Sequence, residues 1–141
     1  MGTRSLTVVL DDDNKEVVVM YRQLDGYLDG HGKELKELFA GKPIINGING
    51  QNFKEAFNGM GCLAATMVAH FKDSIGGFYL YPAGTSKIDE EYVYIIRNVE
   101  DRVHLKVKCV YGGGEVLYDG FIDDFDYSKD YSDDEGNDKE E

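Results

Sequence analysis

The alternation of apolar and polar positions predicts strands at both ends of the chain. β-Branched residues dominate residues 6–10 and 16–23, and the turn formers of residues 11–14 join these two segments. We therefore predict a β-hairpin at the start of the chain. Further strands are predicted near the C-terminal end, at residues 78–82, 92–98, 104–111 and 115–121.

Helical spacing of apolar residues occurs twice between these strands. Leu35, Leu38 and Phe39 recur at i, i+3 and i+4, which predicts a short amphipathic helix over residues 33–40. A longer helix is predicted from residue 60 or 61 to about residue 74, because its apolar residues form one broad face. Residues 53–57 are a possible helical turn between the two.

The resulting order of elements, ββ-α-α-ββββ, is typical of an α+β fold. Consecutive strands with short connections usually pair antiparallel, so we predict an antiparallel or mixed sheet of about six strands, with the helices packed on one face. The predicted domain covers residues 1–125. Residues 126–141 are acidic and have little to bury, so we predict a disordered tail.

Charge and hydropathy limit the classes of partner. The formal net charge is −12, and residues 123–141 contribute −8 of it. Direct DNA binding is not expected, because neutralising phosphates needs clustered lysine and arginine side chains. Residues 62–71 form the longest apolar-rich run, which is too short to span a membrane, and residues 1–5 lead into a strand without a signal-peptide pattern. These features predict a cytoplasmic protein with no membrane contact.

The cysteine and histidine positions predict no metal site. Cys62 and Cys109 lie far apart in apolar surroundings, without CxxC or Cys/His spacing, so we expect two small buried side chains. No catalytic set of side chains is recognisable, and no cofactor is expected.

Residues 21–32 concentrate the polar chemistry of the chain immediately before the first predicted helix. Glycines there would let a ligand approach the free N–H groups of a helix start, where an anion is stabilised. Arg22 offers a planar fork suited to phosphate or carboxylate, and Tyr21 offers a stacking surface. The pattern favours a pocket for a nucleotide or another phosphorylated small molecule. The predicted ligand-binding residues are Arg22, Gln23, Asp25, Tyr27, Gly30, His31, Gly32 and Asn49.

Each of these assignments has a structural alternative. Arg22 could pair with Asp25 or Asp29, and the glycines could serve only a tight loop. His31, flanked by glycines, is expected to be accessible, and it could bind a ligand or make a structural hydrogen bond. Asn49 lies in residues 45–52, whose amides could recognise a base or ribose or simply form two successive turns.

The motif at residues 21–35 resembles a family of small uncharacterised proteins encoded by phages, prophages and archaeal viruses. The resemblance spans most of residues 16–125. It rests on YRQxDGYxxGHGxxL from Tyr21 to Leu35, on EYVY at residues 91–94 and on GFIDDF at residues 120–125. It implies a viral or mobile-element origin, a location in the host cytoplasm and a role against host defence. Many members have Pro where this chain has Leu28.

Three functional hypotheses follow from these patterns. The first is a phage-type accessory protein that binds a nucleotide-like signal without turnover and so counteracts host defence. The alternative is an acidic inhibitor that binds a host nucleic-acid-processing enzyme, and a second alternative is a nucleotide hydrolase assisted by His31. A host defence protein is thus a candidate partner, and a homo-oligomer is also compatible with the sequence.

Overall fold

The computed structural model describes residues 2–47, 55–110 and 113–129, which form eight strands and two α-helices. A π-helical turn, Leu28–Gly32, precedes the first α-helix, and a 3₁₀ turn, Ile122–Asp124, follows the last strand. In chain order the elements are β1 (Ser5–Leu10), β2 (Glu16–Arg22), α1 (Lys33–Phe39), β3 (Ile44–Ile45), β4 (Phe57–Asn58), α2 (Gly59–Phe71), β5 (Phe78–Tyr81), β6 (Tyr92–Val99), β7 (Arg102–Cys109) and β8 (Glu115–Phe121).

The six longer strands form one mixed sheet in the order β5-β2-β1-β6-β7-β8. The pair β1 and β6 is parallel, and the other four neighbouring pairs are antiparallel. The short strands β3 and β4 pair with each other outside this sheet. The prediction of an α+β fold with a mixed sheet of about six strands is confirmed.

The strand order, which the sequence analysis left open, separates β5 from β6. β5 pairs with β2 and β6 pairs with β1, so residues 82–91 must cross two strands to connect them. We call residues 82–91 the strap. Its Ile88 packs against the side chains of Leu6, Val8 and Val19, which places the strap on the face of the sheet opposite the helices.

The main core lies between the sheet and the two helices. Leu35 and Phe39 of α1 and Leu63 and Met67 of α2 pack with the apolar residues of β1, β2, β6 and β7 that face the helices. Phe125 is fully buried in the same core. The predicted disordered tail falls largely on residues 130–141, which lie outside the described residues.

Several local predictions need correction. Helix α2 ends at Phe71, three residues before its predicted end, because Lys72 is extended and its Nζ donates to the carbonyls of Gly76 and Phe78. The helical turn expected at residues 53–57 is wrong at Phe57, which belongs to β4, and residues 53–54 are not described. Cys62, expected to be buried, is exposed. Among the described residues, no helix is long and apolar enough to cross a membrane.

Candidate functional site

Arg22 lies at the end of β2, on the helix side of the sheet, with its side chain in the interior. Its guanidinium donates from Nε to the Leu24 carbonyl at 2.6 Å. One terminal nitrogen donates to His31 Nδ1 at 3.0 Å and to Glu34 Oε1 at 2.7 Å. The rings of Phe71 and Phe78 lie 5.9 and 5.0 Å from its Cζ atom. The guanidinium therefore has hydrogen-bonding, ion-pair and aromatic partners within the protein.

His31 is fully buried, which corrects the expectation that it is accessible. Because arginine only donates, Nδ1 must accept from Arg22, so Nε2 carries the hydrogen that is donated to Thr7 Oγ1 at 2.6 Å. Burial and the neighbouring Arg22 charge lower the pKa of His31 to about 3. The imidazole is thus neutral at pH 7, with both nitrogens bonded.

The backbone of residues 28–32 makes its hydrogen bonds internally. The His31 N–H donates to the Asp25 carbonyl at 2.9 Å, and the Gly30 and Gly32 N–H groups donate to the Tyr27 carbonyl at 2.9 and 3.5 Å. The π-helical turn runs directly into α1, which begins at Lys33 as predicted. These N–H groups are not available to an anion in this conformation.

Close packing accounts for the glycines of this turn. A Cβ atom on Gly30 would lie 2.5 Å from the Asp25 carbonyl oxygen, and one on Gly32 would lie 3.1 Å from Phe125 Cε2. The φ angles of Gly30 and Gly32 do not lie in the left-handed region. The glycines make room for neighbouring protein atoms.

The other predicted ligand-binding residues do not join Arg22 and His31. Gln23, Asp25 and Tyr27 are exposed, and the Tyr27 hydroxyl donates to Asp25 Oδ1 at 3.1 Å. Asn49 lies outside the described residues. The structure thus separates the predicted set into an interior pair, Arg22 and His31, and an exposed loop. We call this pair, together with its partners Thr7 and Glu34, the Arg22–His31 cluster. Ligand binding by either part stays a prediction.

A different surface, at the edge of the sheet, was not predicted from the sequence. Exposed large apolar side chains concentrate on β5 and the loop before it: Ile75 is 98% exposed, Tyr79 45%, Leu80 56% and Tyr81 38%. We call these four residues the β5 edge patch. A groove of about 230 Å³ lies beside Leu80, lined mainly by Met20, Val68, Lys72 and Phe78.

The outer edge of β5, which pairs with no further strand among the described residues, offers backbone groups as well as side chains. The Gln23 N–H donates to the Gly77 carbonyl at 2.9 Å, and hydrogen-bonded pairs alternate along an antiparallel ladder. By this alternation the backbone groups of Tyr79 and Tyr81 face β2, whereas those of Leu80 face outward. Tyr21 of β2 lies beside both tyrosines on the surface of the sheet. Its ring centroid is 6.2 Å from that of Tyr79 and 6.0 Å from that of Tyr81.

One signal in the sequence could have identified this edge. Phe78–Tyr81 is a run of four large apolar or aromatic residues without a polar position, so both faces of the strand are apolar. Both described helices pack on one face of the sheet, so such a strand exposes part of its apolar surface on the other face. The sequence does not show, however, that β5 stands at the edge.

Comparison with known proteins finds no matching family model, curated protein or solved structure. The resemblance to a viral family therefore stays a prediction. In the part of the chain that the structure describes, no group of three or more His, Cys, Asp or Glu side chains could hold a metal ion.

Proposed function

We propose that this chain is a protein-binding module whose partner adds an extended segment to the free edge of β5. The observation that carries the proposal is the concentration of exposed apolar side chains on a strand edge with which no other described strand pairs. Pro82 and the Lys72 ammonium, which donates to the Phe78 carbonyl, protect the two ends of this edge, so the outward backbone groups of Leu80 lie open between them. Apolar patches that remain exposed commonly mark interaction sites.

The two faces of β5 would recognise alternate side chains of the added segment. On the helix side, an apolar side chain would lie against Leu80 and enter the groove beside Met20 and Val68. On the other side, the segment would contact Tyr79 and Tyr81, which offer large contact areas with few rotatable bonds. The outward N–H and C=O groups of Leu80 would provide main-chain hydrogen bonds.

The acidic charge indicates the kind of partner. A net charge of −12 favours association with a basic surface and speeds the encounter with it. Enzymes that act on nucleic acids have such surfaces, so the proposal corresponds to the inhibitor hypothesis of the sequence analysis. If the chain has a viral origin, this partner is a host protein in the host cytoplasm.

The proposal is tested by selecting, from a displayed library of random peptides, those that bind the full chain. We expect the selected peptides to bind as strands with apolar residues at alternate positions. Leu80→Lys should weaken their binding at least tenfold, because it places a charge beside the apolar groove. Leu80→Pro should act similarly, since it removes the outward N–H donor while an edge strand tolerates proline.

Val116→Lys is the matched control, because Val116 is 45% exposed on β8 at the opposite edge of the sheet. This variant should bind the selected peptides as the natural chain does. Peptides that bind both lysine variants equally well, or that bind as helices, would contradict the proposal.

The nucleotide hypothesis remains a second candidate, and one observation favours it. The Glu34 side chain is 42% exposed where it pairs with Arg22, so a phosphate could replace its carboxylate as the anionic partner. A panel of nucleotides should then raise the melting temperature, by an amount that corresponds to about 2.7 kcal/mol at a hundredfold excess over the dissociation constant. Glu34→Gln should strengthen this effect, and Glu37→Gln, one turn along α1, should not change it.

A further inference from the structure

An apolar groove lies beside the strap, on the face of the sheet opposite the two described helices. Its volume is about 430 Å³, within the range of small-molecule sites. The floor is formed by β1 and β6, with the aliphatic side chains of Leu6, Val8, Leu10, Val93 and Ile95. None of the described residues that line this groove is aromatic, so they offer surface for an alkyl chain and no stacking platform for a base.

Two carboxylates at the rim are already engaged by the strap. The Gly84 N–H donates to Glu16 Oε1 at 2.5 Å. The buried Glu90 carboxylate accepts the N–H groups of Lys87 at 3.1 Å and Ile88 at 2.7 Å. The bond to Glu16 ties the strap to β2, and the bonds to Glu90 stabilise a turn within the strap itself. They also give each acidic group at the rim its own donors.

A cation at the rim has no such partner. Lys108 lies opposite Val93 in the β6–β7 ladder and lines the groove. Among the described residues, no acidic side chain forms a salt bridge with its ammonium group. Lys87 lines the groove as well and has no salt bridge among the described residues, so the groove combines an aliphatic floor with two lysines at its border.

We propose that this groove binds a free aliphatic monocarboxylate, with the alkyl chain along the partly exposed Leu10, Val93 and Ile95 and the carboxylate at Lys108. An amphiphile of this kind complements the site in both respects. The apolar chain covers aliphatic surface, and the anion pairs with the lysine through a charge-assisted hydrogen bond. This site is separate from the β5 edge patch and does not depend on the protein-binding proposal.

Calorimetric titration of the full chain with decanoate tests the proposal. We expect saturable binding with one site per chain, and binding that strengthens roughly twofold to fourfold per methylene from hexanoate to decanoate, since a buried methylene contributes up to about 0.8 kcal/mol. Lys108→Gln should weaken decanoate binding about tenfold, as expected for loss of a charged partner. The neutral alcohol 1-decanol should bind to both forms equally and more weakly than decanoate binds to the natural chain.

Lys106→Gln provides the matched control, because Lys106 lies on the same strand and the same face but does not line the groove. Its affinity for decanoate should stay within twofold of that of the natural chain, and Leu80→Lys should also leave it unchanged. Absence of saturable binding at millimolar decanoate would overturn the proposal. Equal losses in the two lysine variants, or equal binding of decanoate and 1-decanol, would overturn the assigned carboxylate position.

Discussion

The Arg22–His31 cluster and the β5 edge patch show opposite relations between residue type and position. The cluster carries arginine, histidine and glutamate, yet Arg22 and His31 lie in the interior and bond to the protein itself. The patch consists of Ile75 and three residues of an apolar run, yet it is the most exposed apolar part of the described chain. A polar motif can thus stabilise the interior of a fold, and an apolar strand can form an exposed surface of the same protein.

Strand geometry explains the contrast. Successive residues of β2 point to opposite faces of the sheet, so Arg22 faces the helices while Tyr21 faces the tyrosines of β5. The two regions meet at Phe78, whose ring lies 5.0 Å from Arg22 Cζ. Burying Arg22 and His31 is tolerated because each finds hydrogen-bonding partners, and the network orients the loop between β2 and α1.

The largest expected effect is the loss of the Arg22 side chain. Arg22→Ala should reduce the free energy of unfolding by about 3 kcal/mol, because it leaves His31 Nδ1 without a donor and opens space beside Phe71 and Phe78. Leu80→Lys, in the exposed patch, should change the same quantity by less than about 0.5 kcal/mol. Urea unfolding of both variants measures the difference directly.

A small loss of unfolding free energy in Arg22→Ala would contradict the proposed contrast between a structural cluster and an exposed patch. If the variant lost less than about 1 kcal/mol, the cluster would not be a structural network. The Arg22 side chain would then be free to serve a ligand, as the nucleotide hypothesis requires.

A somewhat smaller effect is expected when a methyl group is added to the tight turn. Gly30→Ala should cost roughly 1–3 kcal/mol, because the new Cβ would lie 2.5 Å from the Asp25 carbonyl oxygen and the backbone would have to move. Gly61→Ala is the matched control. No neighbouring atom lies within 4 Å of its Cβ position, and alanine in helix α2 should be neutral or stabilising by up to about 1 kcal/mol. Equal melting temperatures for the two variants would show that the turn is looser than described.

Acidification should weaken the cluster by about 1 kcal/mol. The folded-state pKa of His31 is lowered to about 3, whereas the unfolded value is near 6.5. Between these values the unfolded chain binds a proton that the folded chain does not bind, so stability falls as the pH falls. We expect a loss of about 1 kcal/mol between pH 6.5 and 5.5 in the unfolding free energy.

His31→Gln is the comparison variant for this measurement. It should show a smaller change over the same interval, although His104, whose pKa is also lowered by burial, contributes in the same direction. If the two chains had the same pH dependence, His31 would titrate normally in the folded protein, and its burial between Arg22 and Thr7 would be contradicted.

Local patterns predicted the elements well, and non-local contacts explain the errors. The spacing of Leu35, Leu38 and Phe39 placed α1 correctly, and β8 has the predicted bounds. The pairing of β5 with β2 depends on residues more than fifty positions apart, which no local pattern encodes. The burial of His31 likewise depends on the rings of Phe71 and Tyr94, which lie 5.1 and 5.0 Å away on distant elements.

The acidic C-terminal segment should contribute the smallest effect to both regions. It leaves the body beside β8 and α1, where Lys36 Nζ donates to the Phe125 carbonyl at 2.6 Å, whereas β5 lies at the opposite edge of the sheet. Truncation after Tyr127 keeps the buried Phe125 and removes the exposed hydrogen bonds that Ser128 and Lys129 make to Asp126. The melting temperature should therefore stay within a few degrees, and peptide binding at β5 should lose only its long-range electrostatic component, which salt screens.

A loss of more than about 2 kcal/mol in unfolding free energy would show that the segment docks on the body. A salt-independent loss of peptide binding would show that it takes part in recognition at the β5 edge patch.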